Sequence, residues 1–169
     1  MPEPSGNHVL EILRVLAAQK VDFIICGGVA AVLHGVERMT LDVDLSVAMN
    51  RENLEKLIRA VRELGLTPRA PVAPEVLLDP EQVQALIKEK HALAFTFLDP
   101  DRPYRQVDIL LTPDASYEML KGDAVTMNAA EVRVPVASIE RLIAMKKKVR
   151  PKREKDAADV RALKTLMKS

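Results

Sequence analysis

Apolar side chains recur at helical intervals near the start of the chain, with Val9, Leu10, Ile12, Leu13, Leu16 and Ala17 forming one stripe. That spacing predicts an amphipathic helix over residues 8–20. The run VDFIIC (21–26) abandons the period and reads as a short buried strand, broken by Gly27-Gly28. VAAVLHG predicts a second helix that ends at Gly35. LDVDLSVA (41–48) alternates: Leu41, Val43, Leu45 and Val47 take one face, Asp42, Asp44 and Ser46 the other. Asn50 caps an amphipathic helix that Gly65 closes. The proline-bearing LTPRAPVAPEVLL (66–78) predicts an irregular crossing loop, and DPEQVQALIKEK (79–90) a helix with an aspartate cap and a proline in first position. ALAFTFL (92–98) and RQVDILL (105–111) predict an antiparallel hairpin across the turn-rich DPDRPY. A short helix at DASYEML, a strand at EVRVPVA and two helices, SIERLIAMKKKV and EKDAADVRALKTLMK, complete the pattern.

Strands and helices mixed without strict βαβ alternation predict an α+β, or mixed α/β, sheet domain. The 169 residues suit one domain with a substantial core, its body over about 8–136 and its C-terminal helices over about 138–168. With 25 basic and 24 acidic residues the net charge is +1, so attraction to nucleic acid must come from local clusters rather than a global field. Cys26 is the sole cysteine; it cannot form an internal disulfide, and its apolar setting reads as strand packing. No apolar run reaches membrane-spanning length and MPEPSGNH lacks a signal-peptide core, which together give the expectation of a cytoplasmic protein without membrane contact.

The chemistry lies in LDVDL. Residues two apart on a strand share a face, so Asp42 and Asp44 repel one another unless a cation or solvent screens them. On an exposed strand the pair would do nothing; in an enclosed cleft it suits Mg²⁺, which binds through one or two carboxylates plus substrate phosphates. Three neighbours favour the cleft. Gly27-Gly28, between strand and helix, lets backbone N–H groups approach a phosphate. Arg38 and Thr40 stand just before the acids, placed to contact phosphate or the strand turn. Asp108 is framed by Val107, Ile109 and Leu110, a costly place for a carboxylate unless it is paired, either with a cation or with Arg105. Three carboxylates can hold two metals that activate a hydroxyl and stabilise a leaving phosphate.

GGVAAVLHGVERMTLDVDL resembles the signature of the nucleotidyltransferase superfamily, the polymerase-β-like fold, and within it the small bacterial branch of AbiEii/AbiGii-type toxins. The resemblance implies a mixed sheet flanked by helices, with a helical C-terminal segment. It implies that Gly27 and Gly28 bind nucleotide phosphate, that Asp42 and Asp44 hold metal, and that Asp108 is the third acid, a metal ligand that orients or deprotonates the acceptor. IERLIAMKKKVRPKREKDAADVRAL is similar to the end of that branch; on that match Lys146 reaches the nucleotide phosphates, and Asp156 and Asp159 lie near the site. The implied cofactor is Mg²⁺, with Mn²⁺ as its substitute, and the implied substrate is a nucleoside triphosphate, with ATP among the candidates. The implied acceptor is tRNA or a protein, and an antitoxin is the implied partner. Two other readings stay open: an aminoglycoside-like adenylyltransferase, and a catalytically silent binding module of a toxin–antitoxin pair.

Other features carry less. His34, beside Gly35, reads as a packed or capping residue. The basic run from Lys146 to Lys155 is either a solvated face or a phosphate-binding rim. With three phenylalanines, two tyrosines and no tryptophan, stacking on single-stranded bases is poorly supplied.

Overall fold

The computed structural model describes residues 7–149 and 153–168. Helix α1 (Asn7–Ala18) buries Val9, Ile12, Leu13 and Leu16, the stripe its sequence period predicts. Strand β1 (Phe23–Cys26) is buried throughout and runs straight into α2 (Gly27–His34). Gly27 is thus the first residue of the helix rather than a break before it, and Gly35 closes that helix at φ 121°. Strand β2 (Val43–Val47) leads to α3 (Arg51–Glu63), capped by the Asn50 side chain on the Asn53 amide. The predicted crossing loop contains a two-residue strand, β3 (Thr67–Pro68), and a 3₁₀ turn (Pro74–Leu78). Helix α4 (Pro80–Lys90) carries the predicted Asp79 cap. Strands β4 (Ala94–Leu98) and β5 (Gln106–Leu110) form the predicted hairpin. A 3₁₀ turn (Pro113–Ala115), α5 (Tyr117–Leu120), β6 (Val125–Ala129), β7 (Val132–Val136), α6 (Ile139–Lys147) and α7 (Glu154–Met167) follow.

All seven strands join one mixed sheet in the order β3-β4-β5-β2-β1-β7-β6. β2 and β5 run parallel, as do β1 and β7, and the remaining pairs are antiparallel. Alternation in β4 and β5 gives the sheet two unlike faces. Phe95, Phe97, Val107 and Ile109 are buried, while Thr96, Gln106 and Asp108 are half-buried. The apolar face is continuous with Val43 and Leu45 of β2 and the core side chains of α1 and α3. The other face carries the acids. On this mixed sheet the expected fold class stands; β6 is a strand that the sequence pattern does not announce.

Candidate active site

Register places the acids. Asp44 is paired with Cys26 across β1–β2 and with Asp108 across β2–β5, and Asp108 is paired with Thr96 across β5–β4. One row across four strands therefore reads Cys26, Asp44, Asp108, Thr96, and Gly27 begins its helix at the end of that row. Asp42 lies just before β2 and is exposed. Among the described residues no three His, Cys, Asp or Glu side chains are drawn close enough to grip an ion as they stand. Asp44 and Asp108 meet as a hydrogen-bonded pair, and Asp42, two residues before Asp44, acts on both by its charge.

The electrostatics of the pair are unfavourable as it stands. Burial pushes the Asp44 carboxyl up to about 7, helped by the charge of Asp108, hydrogen bonding with it and the charge of Asp42, against a downward pull from Lys146. Asp42 is also raised, first by partial desolvation and then by Asp108, with Lys155, Arg69 and His8 pulling the other way. The positive charges that reach these two carboxylates do not offset burial and mutual repulsion, so both stay raised. Arg105 does not supply counter-charge to Asp108: it is buried and bonds Asp99 and Glu11 at 2.6 Å each. The expected alternative partner of Asp108 is thereby spent elsewhere. Asp108 instead accepts from the Thr96 hydroxyl at 2.6 Å and from the Gln106 amide at 3.2 Å on both oxygens.

The two glycines are required by what stands against them. A Cβ on Gly27 would sit 1.9 Å from Asp44 Oδ2, and its φ of 63° disfavours any side chain. A Cβ on Gly28 would sit 2.4 Å from Arg38 Nη2 and 2.6 Å from Thr40 Oγ1. The start of α2 is thus a crowded meeting of backbone, one acid, one guanidinium and one hydroxyl. The Arg38 and Thr40 side chains cover Gly28.

Lys146 is half-buried between two carboxylates, 2.7 Å from Asp159 Oδ2 and 3.3 Å from Asp156 Oδ1. Arg38 Nε is 3.0 Å from the other oxygen of Asp159, so one buried aspartate ties α7 to both predicted phosphate cations. Burial works to raise Asp156, but Arg153 and Lys146 hold it below the ordinary carboxylate range. Of the basic run, Arg150 and Lys152 lie outside the described residues; Arg153 and Lys148 pair with Asp156 and Asp114.

Two expectations of inert residues agree with the geometry. Burial and Asp44 push the Cys26 thiol up to about 12, which suppresses the thiolate needed for nucleophilic chemistry. His34 donates to the Ala137 carbonyl at 2.8 Å. Sequence reasoning missed Thr96, Gln106 and Arg69 altogether, because cross-strand partners are set by pairing at a distance. It also passed over His8, whose Nε2 donates to the Leu41 carbonyl at 2.8 Å, directly before Asp42.

The sequence model of the nucleotidyl transferase AbiEii toxin family, a type IV toxin–antitoxin system, matches residues 8–168. No curated protein matches the chain by sequence. Among solved structures, the lincosamide antibiotic adenylyltransferase LnuA, lincomycin-bound, superposes with a TM-score of 0.63 at 18% identity, covering 94% of this chain and 96% of that one. ANT(2″)-Ia in complex with adenylyl-2″-tobramycin gives 0.62 at 17% identity, with 96% and 88% covered. An antigenic nucleotidyltransferase-like protein from Paracoccidioides brasiliensis gives 0.52 at 17% identity, with 92% and 72% covered.

Proposed function

From the premise that the chain belongs to the AbiEii nucleotidyl transferase toxin family and is a nucleotidyltransferase, we propose that it moves a nucleoside monophosphate from a nucleoside triphosphate onto an acceptor hydroxyl of tRNA or, alternatively, of a protein. The observation that carries this reading is the row joining Asp44 to Asp108 beside the Gly27 helix start. Membership of a toxin–antitoxin family implies an antitoxin as partner.

The site fits a divalent cation by the chemistry of its donors: hard oxygen ligands, crowded, short of positive charge, against a backbone that leaves no room for a methyl group. Asp42, Asp44 and Asp108 would hold Mg²⁺, or Mn²⁺ in its place, which would supply charge neutralisation at the phosphates. The chain's own residues do the rest. Gly27 and Gly28 open the start of α2 to the triphosphate, where unpaired N–H groups favour anions. Arg38, Thr40 and Lys146 neutralise and orient it. Asp108 receives the acceptor's proton as the acceptor oxygen bonds the α-phosphorus and the bond to pyrophosphate breaks. Arg69 and Lys155, both exposed and both felt by Asp42, suit an acceptor that itself bears phosphate.

The test is label transfer from each α-labelled nucleoside triphosphate with Mg²⁺ into total tRNA, extract proteins or aminoglycosides. Transfer to tRNA that disappears in the Asp42→Asn/Asp44→Asn double variant is the expected result. Transfer confined to aminoglycosides would replace the acceptor, and retention of activity by the double variant would refute the site.

A further inference from the structure

The Asp108 carboxylate is held by two neutral donors, Thr96 and Gln106, on neighbouring strands. A carboxylate oxygen has two acceptor positions. Oδ1 takes the Thr96 hydroxyl at 2.6 Å and Gln106 Nε2 at 3.2 Å, which fills it. Oδ2 takes the Gln106 amide at 3.2 Å, and the carboxylate also hydrogen-bonds with Asp44 across the β2–β5 pair.

The orientation of Gln106 is fixed from its far side. Its Oε1 accepts from Arg69 Nη2 at 2.8 Å. An arginine can only donate and a carboxylate can only accept, so a glutamine between them has one amide orientation: oxygen to Arg69, nitrogen to Asp108. Arg69 is itself anchored, its backbone N–H donating to the Thr96 carbonyl at 2.9 Å. Three residues on three neighbouring segments, the stretch after β3, β4 and β5, thus close a ring around one side of Asp108.

We propose that Thr96 and Gln106 are positioning residues for Asp108, that Arg69 sets the amide of Gln106, and that together they fix the plane of the carboxylate that meets the acceptor hydroxyl. This rests on the proposed transfer reaction. In that step the held Asp108 carboxylate takes the hydroxyl proton as the bond to the α-phosphorus forms and pyrophosphate is released.

The measurement is label transfer from α-labelled ATP to the acceptor fraction that the wild-type protein labels, with kcat and the KM for ATP fitted separately and thermal melting alongside. Thr96→Val and Gln106→Leu should lower kcat by roughly ten- to a hundredfold, the scale of a lost hydrogen bond to a charged group, with KM for ATP within about twofold of wild type. Thr96→Ser keeps the hydroxyl and should restore most of the rate. Arg69→Leu, at an exposed position that folding tolerates, should lower kcat by roughly three- to tenfold because the amide is then free to turn. Wild-type kcat in Thr96→Val, Gln106→Leu or Arg69→Leu overturns the proposal. So does a Ser variant as impaired as Val, or a loss that appears equally in KM. If Asp108→Asn turns over like wild type, the assignment of Asp108 is wrong while transfer itself stands. If the wild-type protein labels no acceptor at all, the proposed function has failed, and this inference with it.

Discussion

Gly27 is where backbone conformation and acid chemistry constrain the same residue. A left-handed φ at a non-glycine costs about 1–3 kcal/mol, and a methyl group 1.9 Å from Asp44 Oδ2 cannot be accepted without moving the carboxylate. Gly27→Ala should therefore lose about 2 kcal/mol or more in denaturant unfolding and lower transfer at least tenfold. Gly65→Ala is the matched control. Its φ is 74°, but nothing stands within 4 Å of the added methyl, so it should share the stability loss and keep the activity. If both variants retain full activity, Gly27 is only a turn residue and the phosphate site lies elsewhere.

Helix α7 is attached to the rest of the fold partly by an apolar anchor, Leu163, and partly by Asp159, whose side chain is 2% exposed and meets both Arg38 and Lys146. Removing one member of a buried ion-pair set leaves uncompensated charge, so Asp159→Ala should cost about 3 kcal/mol. It should also raise the KM for the nucleoside triphosphate, since both phosphate cations lose their common partner. Leu163→Ala should cost about 2–4 kcal/mol through its cavity and leave that KM unchanged. Equal effects of the two on KM would show that α7 acts only as scaffold. The helices were legible beforehand because each carries its signal locally: the α1 stripe, the Asn50 and Asp79 caps, Gly35 and Gly65. The acids were legible because two aspartates beside Gly27-Gly28 need an explanation even without a fold. Strand β6 was not, since VTMNA has no clean alternation and lies at the sheet edge, where most of its side chains are exposed. The partners of Asp108 were hidden for a related reason. Nothing local distinguishes Thr96 or Gln106 from any polar strand residue until β4 and β5 are in register, and Arg69 comes from a proline-rich stretch with no period to read.

At the scale of the whole molecule, the raised Asp44 couples folding to pH and to cation. In the unfolded chain an aspartate titrates near about 4, whereas Asp44 in the fold titrates at about 7. Between those values the folded protein holds a proton that the unfolded chain has released, so stability falls as pH rises through that window. Below it this group has no effect, and above it the full cost of the buried charge remains. Asp156 and Asp99, held low by arginine partners, act oppositely and at lower pH: their contribution is lost only as the solution becomes acidic enough to protonate them, about 2 in the case of Asp99. The melting temperature of the metal-free protein should therefore decline between pH 5.5 and pH 8, by roughly 2–4 °C for each kcal/mol lost in a chain of this size. Asp44→Asn removes the titration and should flatten the decline, melting higher than wild type at pH 8 while transferring nothing. Mg²⁺ binds the charged form, so millimolar Mg²⁺ should raise the wild-type melting temperature more at pH 8 than at pH 6, and should do little for the Asn variant. A metal-free melting curve that rises with pH over this range would mean that Asp44 already has its counter-charge within the protein, and the argument for a cation at the row of acids would lose its physical basis.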